Sequence, residues 1–293
     1  MVMRRVLVTG RGGQLATALA TALPAQGFEA IAIGRPDIDF AAPASITDAL
    51  SAARPDAVVN CAAWTAVDAA EDNEAAAFRA NATGPALIAA RCAVAGIPLI
   101  QVSTDYVFDG RKGAPYVETD LPNPLGAYGR TKLAGEWAAL ASNPRTVVLR
   151  TAWVFAATGT NFLRTMLRLG AERPALRIVA DQQGSPTAAP DLADAIATVL
   201  SCIRADGWRD AHRGVFHATG TGFTTWHGFA EAIFAAGGPR PVVQAITTAD
   251  YPTRAARPAD GRLDCGRLAT TFGARLPPWQ EGLMRVLRDV KPA

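Results

Sequence analysis

A β-branched apolar run, Arg5 to Thr9, feeds without a spacer into Gly10-Arg-Gly-Gly13-Gln-Leu-Ala16, and the Ala-rich stretch Thr17 to Leu23 follows at once. Strand, glycine turn and helix in that order commit the start of a chain to a parallel α/β layer. The spacing Gly10, Gly13, Ala16 is a Gly-x-x-Gly-x-x-Ala form of the dinucleotide fingerprint. Glycines permit the tight turn and a close approach of backbone to pyrophosphate, and a small third residue lets helix and strand pack. A purely structural turn is the competing reading, and the position directly after a first strand weighs against it.

The pattern then repeats. Glu29 to Ile33, Ala57 to Cys61, Pro98 to Val102 and Thr146 to Arg150 read as buried strands, with helical stretches at Ala44 to Ala53 and Glu71 to Ala95 between them. The fold expected is a doubly wound parallel Rossmann-type sheet with a smaller C-terminal substrate-binding domain. With 293 residues and 49% hydrophobic side chains the chain can bury such a core. Residues 1–158 form the expected NAD(P)-binding part. Residues 159–293 form the smaller one, partly interwoven with the first, with Pro190 to Arg204, Thr224 to Ala236 and Pro278 to Val290 as helices and Gly214 to Ala218 as a returning strand. Asn81 in the long helix reads as a buried residue bonded to backbone, structural rather than chemical.

In an open parallel sheet, ligands sit beyond the carboxyl ends of the strands. Gly10, Ala62, Thr65, Ser103 and Thr104 all fall there. Arg35, after the second strand, stands where an acidic residue often meets a ribose hydroxyl, and a guanidinium there suits a 2′-phosphate. This favours NADPH. Asp37 and Asp39 close by keep NADH in play, and a solvated loop arginine is the alternative. Further on, Tyr128 and Lys132 lie four apart on one helix face, Cβ atoms about 6 Å apart. A phenol of pKa about 10 needs a neighbouring ammonium to become a useful acid at neutral pH. Lys132 is expected to lower the Tyr128 pKa and to hold ribose hydroxyls, with Thr104 polarising a carbonyl while Tyr128 gives the proton. A Tyr-x-x-x-Lys pair alone is weak; the conjunction with the glycine turn and the Ser-Thr strand end is specific.

With these residues in hand the chain resembles the extended short-chain dehydrogenase/reductase superfamily, and within it the dTDP-4-dehydrorhamnose reductase family. Asn60-Cys-Ala-Ala-Trp-Thr-Ala-Val-Asp68, Ser103-Thr-Asp-Tyr-Val-Phe-Asp-Gly110, Asn161-Phe162, Asp181-Gln-Gln-Gly-Ser-Pro-Thr187 and Arg257-Pro-Ala-Asp-Gly-Arg-Leu-Asp264 carry the resemblance over nearly the whole length. It implies cofactor contacts at Gly10, Gly12, Gly13, Gln14, Leu15, Asp39, Phe40, Ala62, Ala63, Trp64 and Thr65. It further implies catalysis by Thr104, Tyr128 and Lys132, substrate contacts at Thr104, Asp105 and Trp153, and NAD(P)H-dependent reduction of a dTDP-sugar ketone. Ala16 in place of a third glycine is a mild departure. Some members hold magnesium between subunits through glutamates; equivalent glutamates are not evident, so no metal is expected and a homodimer is left open.

Two other functions share this fold: a non-catalytic NADP-binding regulatory subunit like that of methionine adenosyltransferase, and a nucleotide-sugar epimerase or dehydratase. Other classes fit poorly. A formal charge of +3 without a basic run gives no reason to expect nucleic acid or an anionic membrane. Cys61, Cys92, Cys202 and Cys265 are widely spaced, as free thiols in a reducing compartment would be, and no apolar run is long enough for a membrane span, so a cytoplasmic setting is expected. Arg254, Arg257 and Arg262 lie on one Pro-rich segment and are either diphosphate ligands or plain surface arginines.

Overall fold

The computed structural model describes residues 3–290. Five β-branched runs form the strands β1 (Arg5–Thr9), β2 (Glu29–Ile33), β3 (Ala57–Asn60), β4 (Leu99–Thr104) and β5 (Thr146–Thr151). With strand Gly214–His217 they make one six-stranded parallel sheet, in the order Gly214–His217, β5, β4, β3, β1, β2. Alternate side chains go to opposite layers. Val6, Val8, Ala57 and Val59 join one cluster with helices α1 (Gln14–Ala25) and α8 (Ala189–Asp206), whereas Leu7 and Val58 join another. That second layer is built by α2 (Pro43–Ala53), α5 (Gly84–Ala95) and α6 (Ala127–Ser142). Burial on both faces explains why the strands read as continuous apolar runs.

The chain order reverses between β1 and β3, which lie side by side. A crevice opens at such a point, at the carboxyl edge.

The helix expected over Glu71 to Ala95 is interrupted. It comes as α3 (Val67–Asp72), α4 (Glu74–Phe78), a π-helical turn at Arg79–Thr83, and α5. Asn73 ends α3 with its amide turned back to the Ala69 carbonyl at 2.9 Å, and the wide turn places Asn81 inward.

A second core gathers Phe155 of the short strand Val154–Phe155, Leu163 and Met166 of α7 (Phe162–Glu172), Phe229 and Ile233 of α9 (Trp226–Ala235), and Trp279, Leu283 and Val286 of the last helix, Trp279–Asp289. Beside it strands Ala175–Val179 and Val242–Ile246 pair in parallel. Between these stretches the chain returns to the first layers twice, through α8 on α1 and through Gly214–His217, which extends the main sheet rather than the smaller lobe. Among the described residues no helix is long and apolar enough to cross a membrane.

Candidate active site

Gly10 and Gly12 turn the chain out of β1 with φ of 84° and 86°, backbone that favours glycine. A Cβ on Gly10 would lie 3.0 Å from the amide nitrogen of Ala62, so the two neighbouring strand ends touch through backbone. Gly13 caps α1 without a side-chain hydrogen bond, which leaves first-turn N–H groups facing the crevice. An anionic pyrophosphate fits this cradle.

The crevice is a cleft of about 950 Å³. Gly10, Gly12, Gly13, Gln14, Leu15, Arg35, Asp39, Phe40, Ala62, Ala63, Trp64, Thr65, Thr104, Asp105, Tyr128, Lys132 and Trp153 all line it. Residues from six separate segments thus meet in one space. Among the described residues no group of three His, Cys, Asp or Glu side chains is arranged to hold a metal ion.

Helix α6 brings Tyr128 and Lys132 to the floor because its glycines allow close passage. A Cβ on Gly129 would lie 2.2 Å from the Tyr106 carbonyl, and one on Gly135 would lie 1.9 Å from that of Asn81. The Asn81 carboxamide receives the Trp64 N–H at 2.8 Å and donates to the Trp64 carbonyl at 3.1 Å and Thr131 Oγ1 at 3.0 Å. Asn81 is bonded to backbone as expected, but it also clamps the 62–65 loop onto α6. A buried ion pair holds the other side: Ser103 Oγ donates to Glu136 Oε1 at 2.5 Å, and Arg150 Nη2 donates to Oε2 at 2.7 Å.

Lys132 is 4% exposed and donates to the Val102 carbonyl at 2.7 Å. Burial pulls its ammonium down to about 8, against the attraction of Glu136 and Cys61. The expectation that Lys132 lowers the Tyr128 pKa does not hold. Desolvation pushes the phenol up to about 12; Thr104 opposes the rise and Asp105 adds to it. The ammonium is turned towards a backbone carbonyl, so the phenol is an intact proton donor at neutral pH. Tyr106 packs edge-on to Tyr128, ring centroids 5.5 Å apart. Asp105 is buried, takes the Thr104 hydroxyl at 3.0 Å, and is raised by desolvation to about 7.

Trp153 occupies left-handed backbone at φ 47° where β5 ends, a strained position for an aromatic residue. Its ring stacks on Trp226 of the smaller lobe, centroids 3.5 Å apart and planes 9° from parallel. Trp226 also lines the cleft, and the sequence reading missed it; its only signal was an aromatic at the first position of a helix capped by Thr225, whose hydroxyl takes the Gly228 N–H at 3.0 Å. Arg11 was missed as well: it lies beside Arg35 on the cleft wall and pairs with Asp37 at 2.9 Å. Asn161 Nδ2 reaches Gln14 Oε1 at 2.9 Å and ties the glycine turn to the loop before α7.

The three arginines of the 254–262 segment are paired with carboxylates: Arg254 with Asp72, Arg257 with Asp68 and Arg262 with Asp260. Arg254 and Arg257 pin this strap to α3, and Arg262 closes on a carboxylate of the strap itself.

The family model for the RmlD substrate binding domain matches residues 3–291. A dTDP-4-dehydrorhamnose reductase of Sinorhizobium fredii is 42% identical over 288 residues, spanning 97% of this chain and 96% of that one. Among solved structures, a dTDP-4-dehydrorhamnose reductase of Clostridium acetobutylicum superposes with a TM-score of 0.90 at 36% identity, covering 97% of this chain and 98% of the other. A dTDP-4-dehydrorhamnose reductase of Bacillus anthracis in complex with NADP gives a TM-score of 0.90 at 31% identity, covering 98% and 99%.

Proposed function

The chain belongs to the family of the RmlD substrate binding domain, and from that membership we propose that it reduces the 4-keto group of dTDP-4-dehydro-L-rhamnose with NADPH, giving dTDP-L-rhamnose. The observation that carries this reading is the meeting of Thr104, Tyr128 and Lys132 in the cleft whose opposite wall is the glycine turn and the open start of α1. The bound nicotinamide would supply the hydride. Every other duty falls to the backbone and side chains of this chain.

Gly10 to Leu15 would hold the pyrophosphate through backbone N–H groups, with Asp39, Phe40 and Ala62 to Thr65 along the rest of the cofactor. Arg35, with Arg11 beside it, would meet a 2′-phosphate, and Asp39 on the same wall would suit an adenosine ribose hydroxyl where NADH is used. Thr104 would donate to the ketone oxygen, where negative charge grows as hydride arrives. Tyr128 would then give its proton to that oxygen; its raised pKa keeps it protonated until the acceptor becomes an alkoxide. Lys132 would stabilise the phenolate left behind and hold ribose hydroxyls. Trp153, with Asp105, would form the sugar end of the cleft, where Trp153 stacks on Trp226 of the smaller lobe.

Purified protein mixed with NADPH and dTDP-4-dehydro-L-rhamnose should oxidise the cofactor in step with sugar reduction. NADPH binding without turnover of this sugar would remove the assignment. Tyr128→Phe should lower kcat by roughly 10²- to 10⁴-fold, with cofactor affinity kept; turnover near that of the native protein would mean that the proton comes from another group.

A further inference from the structure

Thr104 is asked for more hydrogen than it has. Its Oγ1 donates to Asp105 Oδ1 at 3.0 Å and accepts from the Tyr106 N–H at 3.2 Å. A hydroxyl carries one proton and two lone pairs, and a ketone oxygen can only accept. While Asp105 is a carboxylate, the single Thr104 proton is held by it and none is left for a substrate carbonyl. If Asp105 carries a proton, the same contact reverses. Asp105 then donates, Thr104 Oγ1 accepts from Asp105 and from Tyr106 N–H, and the Thr104 hydrogen is free to turn into the cleft.

Resting on the reductase reading above, we propose that Asp105 is a positioning residue that works in its neutral form, releasing the Thr104 hydrogen to the ketone. The surroundings favour that form. Asp105 is 3% exposed. Facing it are Tyr106 on its own turn, Tyr128 on α6, and Gly261 of the strap, where an added Cβ would lie 2.5 Å from Asp105 Oδ2. The cations of these elements are engaged elsewhere: Lys132 on the Val102 carbonyl, Arg262 on Asp260, Arg257 on Asp68. With no cation to hold the charge, desolvation dominates and the carboxyl titrates at about 7 rather than in the usual acid range.

The test is the pH profile of kcat with NADPH and dTDP-4-dehydro-L-rhamnose for the native protein and for Asp105→Asn. The Asn amide donates to Thr104 at every pH and cannot ionise. The native kcat should fall about tenfold per pH unit above the alkaline limb. Asp105→Asn should lose that limb and overtake the native protein at about pH 9. Asp105→Leu, which neither donates nor ionises, should be slow throughout; the Asn comparison stands by itself if the Leu variant does not fold. NADPH titration of each variant reports folding. An alkaline limb of Asp105→Asn that begins where the native one does, near pH 7, rather than near pH 8 where Lys132 loses its proton, overturns the proposal. Native protein that binds NADPH but never turns over the sugar overturns the reductase reading instead, and the proposal with it.

Discussion

Glu136→Ala should unfold this protein far more readily than its place outside the cleft suggests. The carboxylate takes Nε and Nη2 of Arg150 and the hydroxyl of Ser103, and the paired side chains are 3% and 1% exposed. Removing it strands a guanidinium whose Nη1 has no partner among the described residues and whose carbon lies 5.0 Å from the centroid of the Phe108 ring. Breaking one side of a buried pair costs about 3–5 kcal/mol. For a chain of this size that corresponds to a fall in Tm of roughly 6–10 °C, at about 2 °C per kcal/mol. Urea titration followed by tryptophan fluorescence reads the difference directly. The double replacement Glu136→Leu with Arg150→Met should recover most of the loss, because a buried pair contributes little beyond an apolar pair of similar volume. A Glu136→Ala protein within about 1 kcal/mol of the native one would refute the reasoning, as the cost is assigned to the uncompensated charge. So would a double variant as unstable as the sum of the singles.

Two further outcomes follow from the cleft walls. Arg35→Ala and Arg11→Ala should each weaken NADPH about 10- to 150-fold while leaving NADH within a few-fold, since a lost charge-assisted contact is worth about 1.5–3 kcal/mol; calorimetric titration with both cofactors checks this, and equal losses would remove these arginines from the 2′-phosphate. Gly135→Ala places a methyl 1.9 Å from the Asn81 carbonyl and should cost about 1–3 kcal/mol while weakening cofactor binding through the loosened 62–65 loop. A stable Gly135→Ala protein with native affinity would show that α6 can move without disturbing that loop.

The parallel sheet and its crevice were legible because their signals are local. Arg5 to Thr9 running into Gly10, and Tyr128 one helical turn from Lys132, put the needed geometry in adjacent residues. What escaped depends on partners remote in sequence. Arg254 and Arg257 could be ligands or surface residues until Asp72 and Asp68 were found opposite them. Trp226 has no local mark that would place it on Trp153. The interruption of the Glu71 to Ala95 helix is set by where Asn81 must reach, a demand made by Trp64 and Thr131 rather than by propensity. The Tyr128 phenol was misjudged for a related reason: four-residue spacing predicts that two side chains share a face, but not that the lysine prefers a carbonyl on β4.

The late arrival of strand Gly214–His217 at the edge of β5 bears on how the polypeptide leaves the ribosome. Synthesis runs from the N-terminus, so β5 is exported well before the segment that hydrogen-bonds to it, and α1 before the α8 that covers its apolar side. Until then a nascent chain displays an unpaired strand margin and a greasy helix flank, the surfaces on which chains adhere to one another. Chaperone dependence and losses to inclusion bodies should therefore be greatest for products halted between β5 and residue 217, and should fall sharply once that strand has been made.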